Sequence, residues 1–174
     1  MKTLFFSCLV SVSVMAADAP APAGIPNAKI SYPLFVQSVT EVETVRESRR
    51  LTEGEFLRMT KEPGVVVLDA RSAEKFRLRH ITGAVNLSLP DFTAESLARV
   101  IPNKTTKVLI YCNNNFEGSP ISLASKSLGA ALNLHSFVAL NSYGYKNVYE
   151  LGPLLHVKTS RLPFAGTEVN AGVE

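Results

Sequence analysis

Cysteine is scarce in this chain: 174 residues hold two, Cys8 and Cys112. Cys8 lies in an N-terminal stretch with the make-up of an export signal. Processing would leave Cys112 alone, and a single cysteine excludes an internal disulfide. A strong charge of one sign is also lacking. The formal net charge is +3, and loss of Lys2 with the signal lowers it to +2, because no acid precedes Ala17. No basic stripe interleaves with aromatics, so a nucleic-acid surface is excluded. Beyond the signal no apolar run is long enough to cross a bilayer, so no stable membrane anchor is expected. His135 and His156 have no partner at ligand spacing; no metal and no other cofactor is implied.

What is present begins with the signal itself. Lys2 supplies a positive n-region and Leu4-Phe5-Phe6-Ser7-Cys8-Leu9-Val10 opens an apolar h-region. Val14-Met15-Ala16 sets small residues before a cleavage point at Ala17. The expectation is a signal at 1–16 and an exported, periplasmic protein. Residues 17–29 are Ala/Pro-rich and read as an extended linker. Residues 30–50 carry β-branched residues among charges and read as an N-terminal arm or leading strand. One domain is expected over 51–155, with a C-terminal tail over 156–174. The apolar fraction of 46% is enough to bury its core.

Within that domain, short apolar runs alternate with helical segments. Thr52-Glu53-Gly54-Glu55 matches a capping box ahead of a short helix. Val65-Val66-Val67-Leu68 is a continuous apolar run bounded by breakers, the pattern of a strand buried on both faces. Residues 72–79 read as a charged helix, Ala84-Val85-Asn86-Leu87 as a strand, and Asp91 as the cap of a helix through Val100. Val108–Tyr111 and Asn147–Leu151 are further strands, and 119–142 is helical in character, broken near Gly129 and Asn133. The alternation predicts an α/β fold, a small parallel sheet with helices on both faces.

Cys112 ends the run Val108-Leu109-Ile110-Tyr111. A polar loop follows: Asn113, Asn114, Asn115, Phe116, Glu117 and Gly118. Ser119-Pro120 reads as an N-cap with Pro at the first helical position. A thiol between a strand and a helix N-terminus meets backbone N–H groups and the helix dipole. That setting predicts a lowered pKa and a thiolate nucleophile.

Two stretches carry a resemblance. The first is Leu68-Asp69-Ala70-Arg71-Ser72, then Glu74 and Phe76, then Arg79-His80-Ile81-Thr82-Gly83-Ala84-Val85-Asn86. The second is Ile110-Tyr111-Cys112, then Gly144-Tyr145-Lys146-Asn147-Val148-Tyr149-Glu150-Leu151. Together they resemble the rhodanese homology domain, over about residues 50–155, and its single-domain secreted sulfurtransferases. The resemblance implies a rhodanese-like α/β fold with Cys112 as nucleophile and persulfide carrier. Residues 113–119, from Asn113 through Ser119, would form the substrate-binding loop. The substrate would be a small sulfur compound, such as thiosulfate or a polysulfide, and the acceptor a thiol or cyanide. Asp69 and Arg71 are expected as a structural ion pair, and His80 as a residue that fixes backbone.

The chain departs from that family in its loop. Active members place an Arg about five residues after the Cys to bind an anion, and none occurs here between Cys112 and Arg161. Glu117 opposes an anion if it points inward. Cationic help is open to Lys126 or Arg71. The stretch from Ser119 to Gly144 is also longer than usual, with the excess inside 117–136. Either it enlarges the loop into a flap over Cys112, or it lengthens the helix. The spacing of Leu128, Ala131, Leu132 and Leu134 favours packing. Two functions follow as alternatives: sulfur transfer through a Cys112 persulfide, or a catalytically weak or inactive binding or redox-sensing module that docks a partner protein. The missing Arg argues against phosphoryl transfer.

Overall fold

The computed structural model describes residues 24–170. The expected signal and most of the linker lie outside the described residues. The chain divides into residues 1–31 and residues 32–174. In the first unit, the Lys29 N–H closes a turn on Asn27 Oδ1 at 2.9 Å.

The second unit opens with helix α1 (Tyr32–Arg46), where an arm or strand was expected. Pro33 suits a first helical turn. Phe35, Val39 and Val42 recur at helical spacing, and Val42 is buried in the core. That apolar face outweighs the β preference of the scattered Val and Thr residues. Strand β1 (Arg50–Leu51) and helix α2 (Glu53–Met59) follow. Thr52 and Glu55 form the expected capping box: Thr52 Oγ1 accepts the Glu55 N–H at 3.3 Å, and Glu55 Oε2 accepts the Thr52 N–H at 2.9 Å. Such a cap is worth about 1 kcal/mol.

Strand β2 (Val66–Asp69), helix α3 (Ala73–Leu78), and strands β3 (His80–Ile81) and β4 (Val85–Asn86) come next. Helix α4 (Ala94–Val100) is capped by Thr93 rather than Asp91, because the Thr93–Ser96 pair closes a reciprocal box. Strand β5 (Val108–Tyr111) leads through Cys112 into β6 (Phe116–Glu117). Helix α5 (Leu132–Ser142), strands β7 (Val148–Leu151), β8 (Leu155–His156) and β9 (Phe164–Ala165), and helix α6 (Thr167–Asn170) complete the described chain.

The main sheet has order β1-β7-β5-β2-β4 and every pairing in it is parallel. Alternate side chains enter different layers, as a parallel sheet buried on both faces requires. Leu68, Val108, Ile110 and Val148 pack with Val42, Leu97, Phe137 and Leu140 from α1, α4 and α5 and with Ile101, which caps the end of α4. Val67, Leu109, Tyr111 and Leu151 pack on the other face with Phe56 and Met59 of α2.

Two expectations need correction. No helix starts at Ser119-Pro120. The Leu123 N–H bonds the Ser119 carbonyl at 2.9 Å, and that single turn does not propagate. The chain stays irregular to Ala131, apart from one 3₁₀ turn at Leu128–Ala130, and α5 begins only at Leu132. The cause is side-chain competition: the Asn113 and Asn114 amides bond the backbone of 124–126 and take the place of a helical ladder.

The second correction concerns 156–174, expected as a tail. Residues 156–170 belong to the fold. Leu162 is 2% exposed, β9 pairs antiparallel with β3, and the Phe164 ring meets Phe116 edge-on at 5.2 Å. The short α2 contributes two buried side chains to that face, and Leu162 and Phe164 complete it. Leu162→Ala should therefore cost about 2–5 kcal/mol in urea unfolding, the range for a buried leucine. A change within about 0.5 kcal/mol, normal for a surface site, would return this segment to the status of a tail.

Candidate active site

Cys112 leaves the C-terminal end of β5, the edge where open parallel sheets place ligands. Its thiol is nearly enclosed, at 1% exposure, yet it lines a cleft of about 290 Å³. Burial pushes the thiol pKa above its usual value. The backbone N–H groups of Asn133, Asn114 and Leu132 pull it back in part, and the Glu150 carboxylate adds to the rise. The expected lowering is thus overturned. A helix N-terminus does face the sulfur, but it is that of α5, and desolvation wins over it.

Asn115 positions this arrangement. Its Oδ1 accepts the Cys112 N–H at 2.9 Å and the Asn133 amide at 3.0 Å. Its Nδ2 donates to the Leu151 carbonyl at 2.7 Å and the Pro153 carbonyl at 3.3 Å. One amide therefore joins the end of β5, the end of β7 and the first turn of α5. Asn133 Oδ1 is buried without a hydrogen-bond partner among the described residues.

The other asparagines hold the long loop. The Asn113 amide donates to the Ala124 carbonyl. Asn114 Oδ1 accepts the Lys126 N–H at 2.8 Å while its Nδ2 donates to the Lys126 carbonyl at 2.9 Å. The insertion thus enlarges the loop beside Cys112. Leu128, expected to pack, is 90% exposed on the cleft rim.

The rest of the expected substrate loop points elsewhere. Phe116 is buried in the second core layer, and Glu117 is exposed on β6, paired with His156 of β8. Gly118 takes a φ of +85°, and a Cβ there would lie 2.6 Å from the His156 ring. Ser119 and Ser122 donate to Glu168 Oε2 at 2.7 and 2.8 Å, fastening the loop to α6. Of residues 113–119, Asn114 and Asn115 line the Cys112 cleft.

Asp69 and Arg71 do pair, and both are buried. Arg71 Nη2 lies 2.5 Å from Asp69 Oδ2, and the guanidinium also donates to the Ser122 carbonyl at 2.8 Å and the Arg79 carbonyl at 2.7 Å. Burial works against the Arg71 charge, and the Asp69 carboxylate more than offsets it. The Tyr111 phenol, held protonated by burial, donates to Asp69 Oδ2 at 2.6 Å. The guanidinium is spent on these partners. Lys126 and Arg71 line a neighbouring cleft of about 350 Å³ that Cys112 does not reach. Neither is placed to help the sulfur. His80 fixes backbone, with Nδ1 2.8 Å from the Phe76 carbonyl.

A family model for the rhodanese-like domain matches residues 52–151. The chain belongs to the rhodanese-like domain family. Among solved structures it is similar to a rhodanese with anions from E. coli, at 23% identity and TM-score 0.40, covering 59% of this chain and 99% of that one. It is also similar to a Bacillus halodurans protein, at 16% identity and TM-score 0.49, over 76% and 88% of the two chains. A rhodanese-like domain of an Anabaena protein matches at 22% and TM-score 0.48, over 70% and 81%. No curated protein compared with the chain matches it.

Against that family's pattern, the cations of this rhodanese-like cleft come from an unexpected place. Arg46 at the end of α1 and Arg50 in β1 line it with Cys112 and Glu150. Sequence reasoning missed all three of these cleft residues. The available signals were the cluster Arg46, Arg49 and Arg50 just before the domain, and one acid, Glu150, inside an otherwise apolar-lined strand.

The raised thiol pKa has a direct readout. The rate of Cys112 alkylation by iodoacetamide should keep climbing with pH past about 8.5, the midpoint of a free cysteine. A plateau near neutral pH would mean that the N–H groups outweigh burial.

Proposed function

We propose that this rhodanese-like protein carries sulfane sulfur as a persulfide on Cys112. The donor is of thiosulfate or polysulfide type and the acceptor is a thiol or cyanide. The observation that carries the reading is the setting of the sulfur. Cys112 lines a cleft at the strand ends, faced by the N–H groups of Leu132, Asn133 and Asn114. Those donors favour negative charge on the sulfur and on a leaving group. The chemistry is that of thiol–disulfide exchange. Cys112 gives its proton to solvent and its sulfur attacks the outer sulfur of the donor. An Sγ–S bond forms as the S–S bond of the donor breaks, and the electron pair leaves on sulfite or a shortened polysulfide. An acceptor nucleophile then takes the outer sulfur and returns Cys112 as thiolate. No outside oxidant is needed. We take the protein to be exported, so these partners are periplasmic small molecules.

Burial of the thiol favours a second reading, a binding or redox-sensing module that docks a partner protein. Intact mass after incubation with thiosulfate or inorganic polysulfide separates the two. A reducible gain of one sulfur atom is expected in the wild type and absent in Cys112→Ala. A folded protein whose thiol alkylates yet takes no sulfur from any donor would leave only the module.

A further inference from the structure

The conspicuous gap in the rhodanese-like cleft is its loop, which brings no cation to the sulfur. Two cations reach the same cleft from the N-terminal side. Arg46 grips Glu150 with both arms of its fork, Nη2 to Oε1 at 2.6 Å and Nε to Oε2 at 3.2 Å. Arg50 Nε lies 3.3 Å from the same Oε1. The two arginine side chains keep 28% and 38% exposure, whereas the Glu150 side chain keeps 1%. The cleft thus holds two guanidinium groups, one buried carboxylate and the reactive sulfur.

We propose that Arg46 and Arg50 form the anion subsite for the sulfonate end of a thiosulfate-type donor, with Glu150 as the resident counter-anion that the donor displaces. The inference rests on the persulfide-carrier reading and assigns its donor class. A guanidinium fork matches carboxylate geometry, and it matches the oxygens of a sulfonate for the same reason. Among the residues lining the cleft, two guanidinium groups face one carboxylate while Cys112 is a neutral thiol; Arg50 also pairs with Glu47, Nη1 to Oε2 at 3.3 Å, but that carboxylate is 81% exposed and lies outside the cleft. A second anion therefore enters against two cations and one acid, not against a neutral wall. The cost of displacing Glu150 makes the subsite selective: a neutral donor has nothing with which to replace the carboxylate.

The test compares two donors on the full chain: thiosulfate and methyl hydropersulfide, which has no sulfonate and gives up its outer sulfur as methanethiolate leaves. In Arg46→Gln and in Arg50→Gln, the ratio of kcat/KM for thiosulfate to that for methyl hydropersulfide should fall at least tenfold, with the loss in KM. Glu150→Gln should move the ratio the other way. Arg46→Lys keeps the charge without the fork and should fall between, and it stands in if the Gln variant fails to fold. Equal losses on both donors would make the arginines structural and overturn the subsite, as would no change. If wild type takes sulfur from neither donor, the carrier reading fails on its own. Calorimetric binding of thiosulfate to Cys112→Ala then decides the subsite: binding lost with Arg46→Gln upholds it, and no binding overturns it.

Discussion

The site depends on one side-chain amide. Asn115 receives the Cys112 N–H and the Asn133 amide on one oxygen and gives its own N–H groups to Leu151 and Pro153. Its partners span residues 112 to 153, and three of the four bonds are buried. A buried polar group left unpaired costs about 1–3 kcal/mol, so the network tolerates few other arrangements. The strand end, the start of α5 and the sulfur therefore share one geometry.

Two buried ion pairs divide the remaining labour. Asp69–Arg71 is sealed, with a phenol and two carbonyls completing its bonds, and it ties β2 to the Cys loop through Ser122. Glu150–Arg46 is half open to the cleft. Removing one partner of a sealed pair typically costs about 3–5 kcal/mol, because the other charge is stranded. In the second pair the arginine touches solvent while the carboxylate is buried. The same two residue types thus form a sealed pair in one place and a half-open one in the other.

Much of the scaffold was legible in the sequence because its signals are local. The apolar runs at 65–68 and 108–111, the capping box at Thr52, and the Asp69–Arg71 spacing each act over a few residues. The family pattern spans the same elements. The loop was not legible, for a physical reason. Ser119-Pro120 is a good helix start by propensity, but Asn113 and Asn114 capture the backbone of 124–126, and Glu168 captures the Ser119 hydroxyl. Glu168 lies outside any window centred on 119, and the hold of Asn113 and Asn114 on 124–126 depends on how the loop folds back rather than on propensity. Residues 30–50 failed likewise: the apolar face of α1 has meaning only once α5 is there to cover it.

The sequence by itself determined that this is an α/β chain of the rhodanese-like kind with Cys112 at a strand end. Periodicity and turn chemistry are written into neighbouring residues. Only the tertiary structure decided what surrounds that cysteine. Whether a thiol is lowered by a helix or raised by burial depends on distances and enclosure, not on spacing along the chain. Arg50 and Glu150 line the cleft of Cys112 because the parallel sheet sets β1, β7 and β5 side by side, and α1 and α5 bring Arg46 and Asn133 to the same cleft, an arrangement that chain position does not reveal.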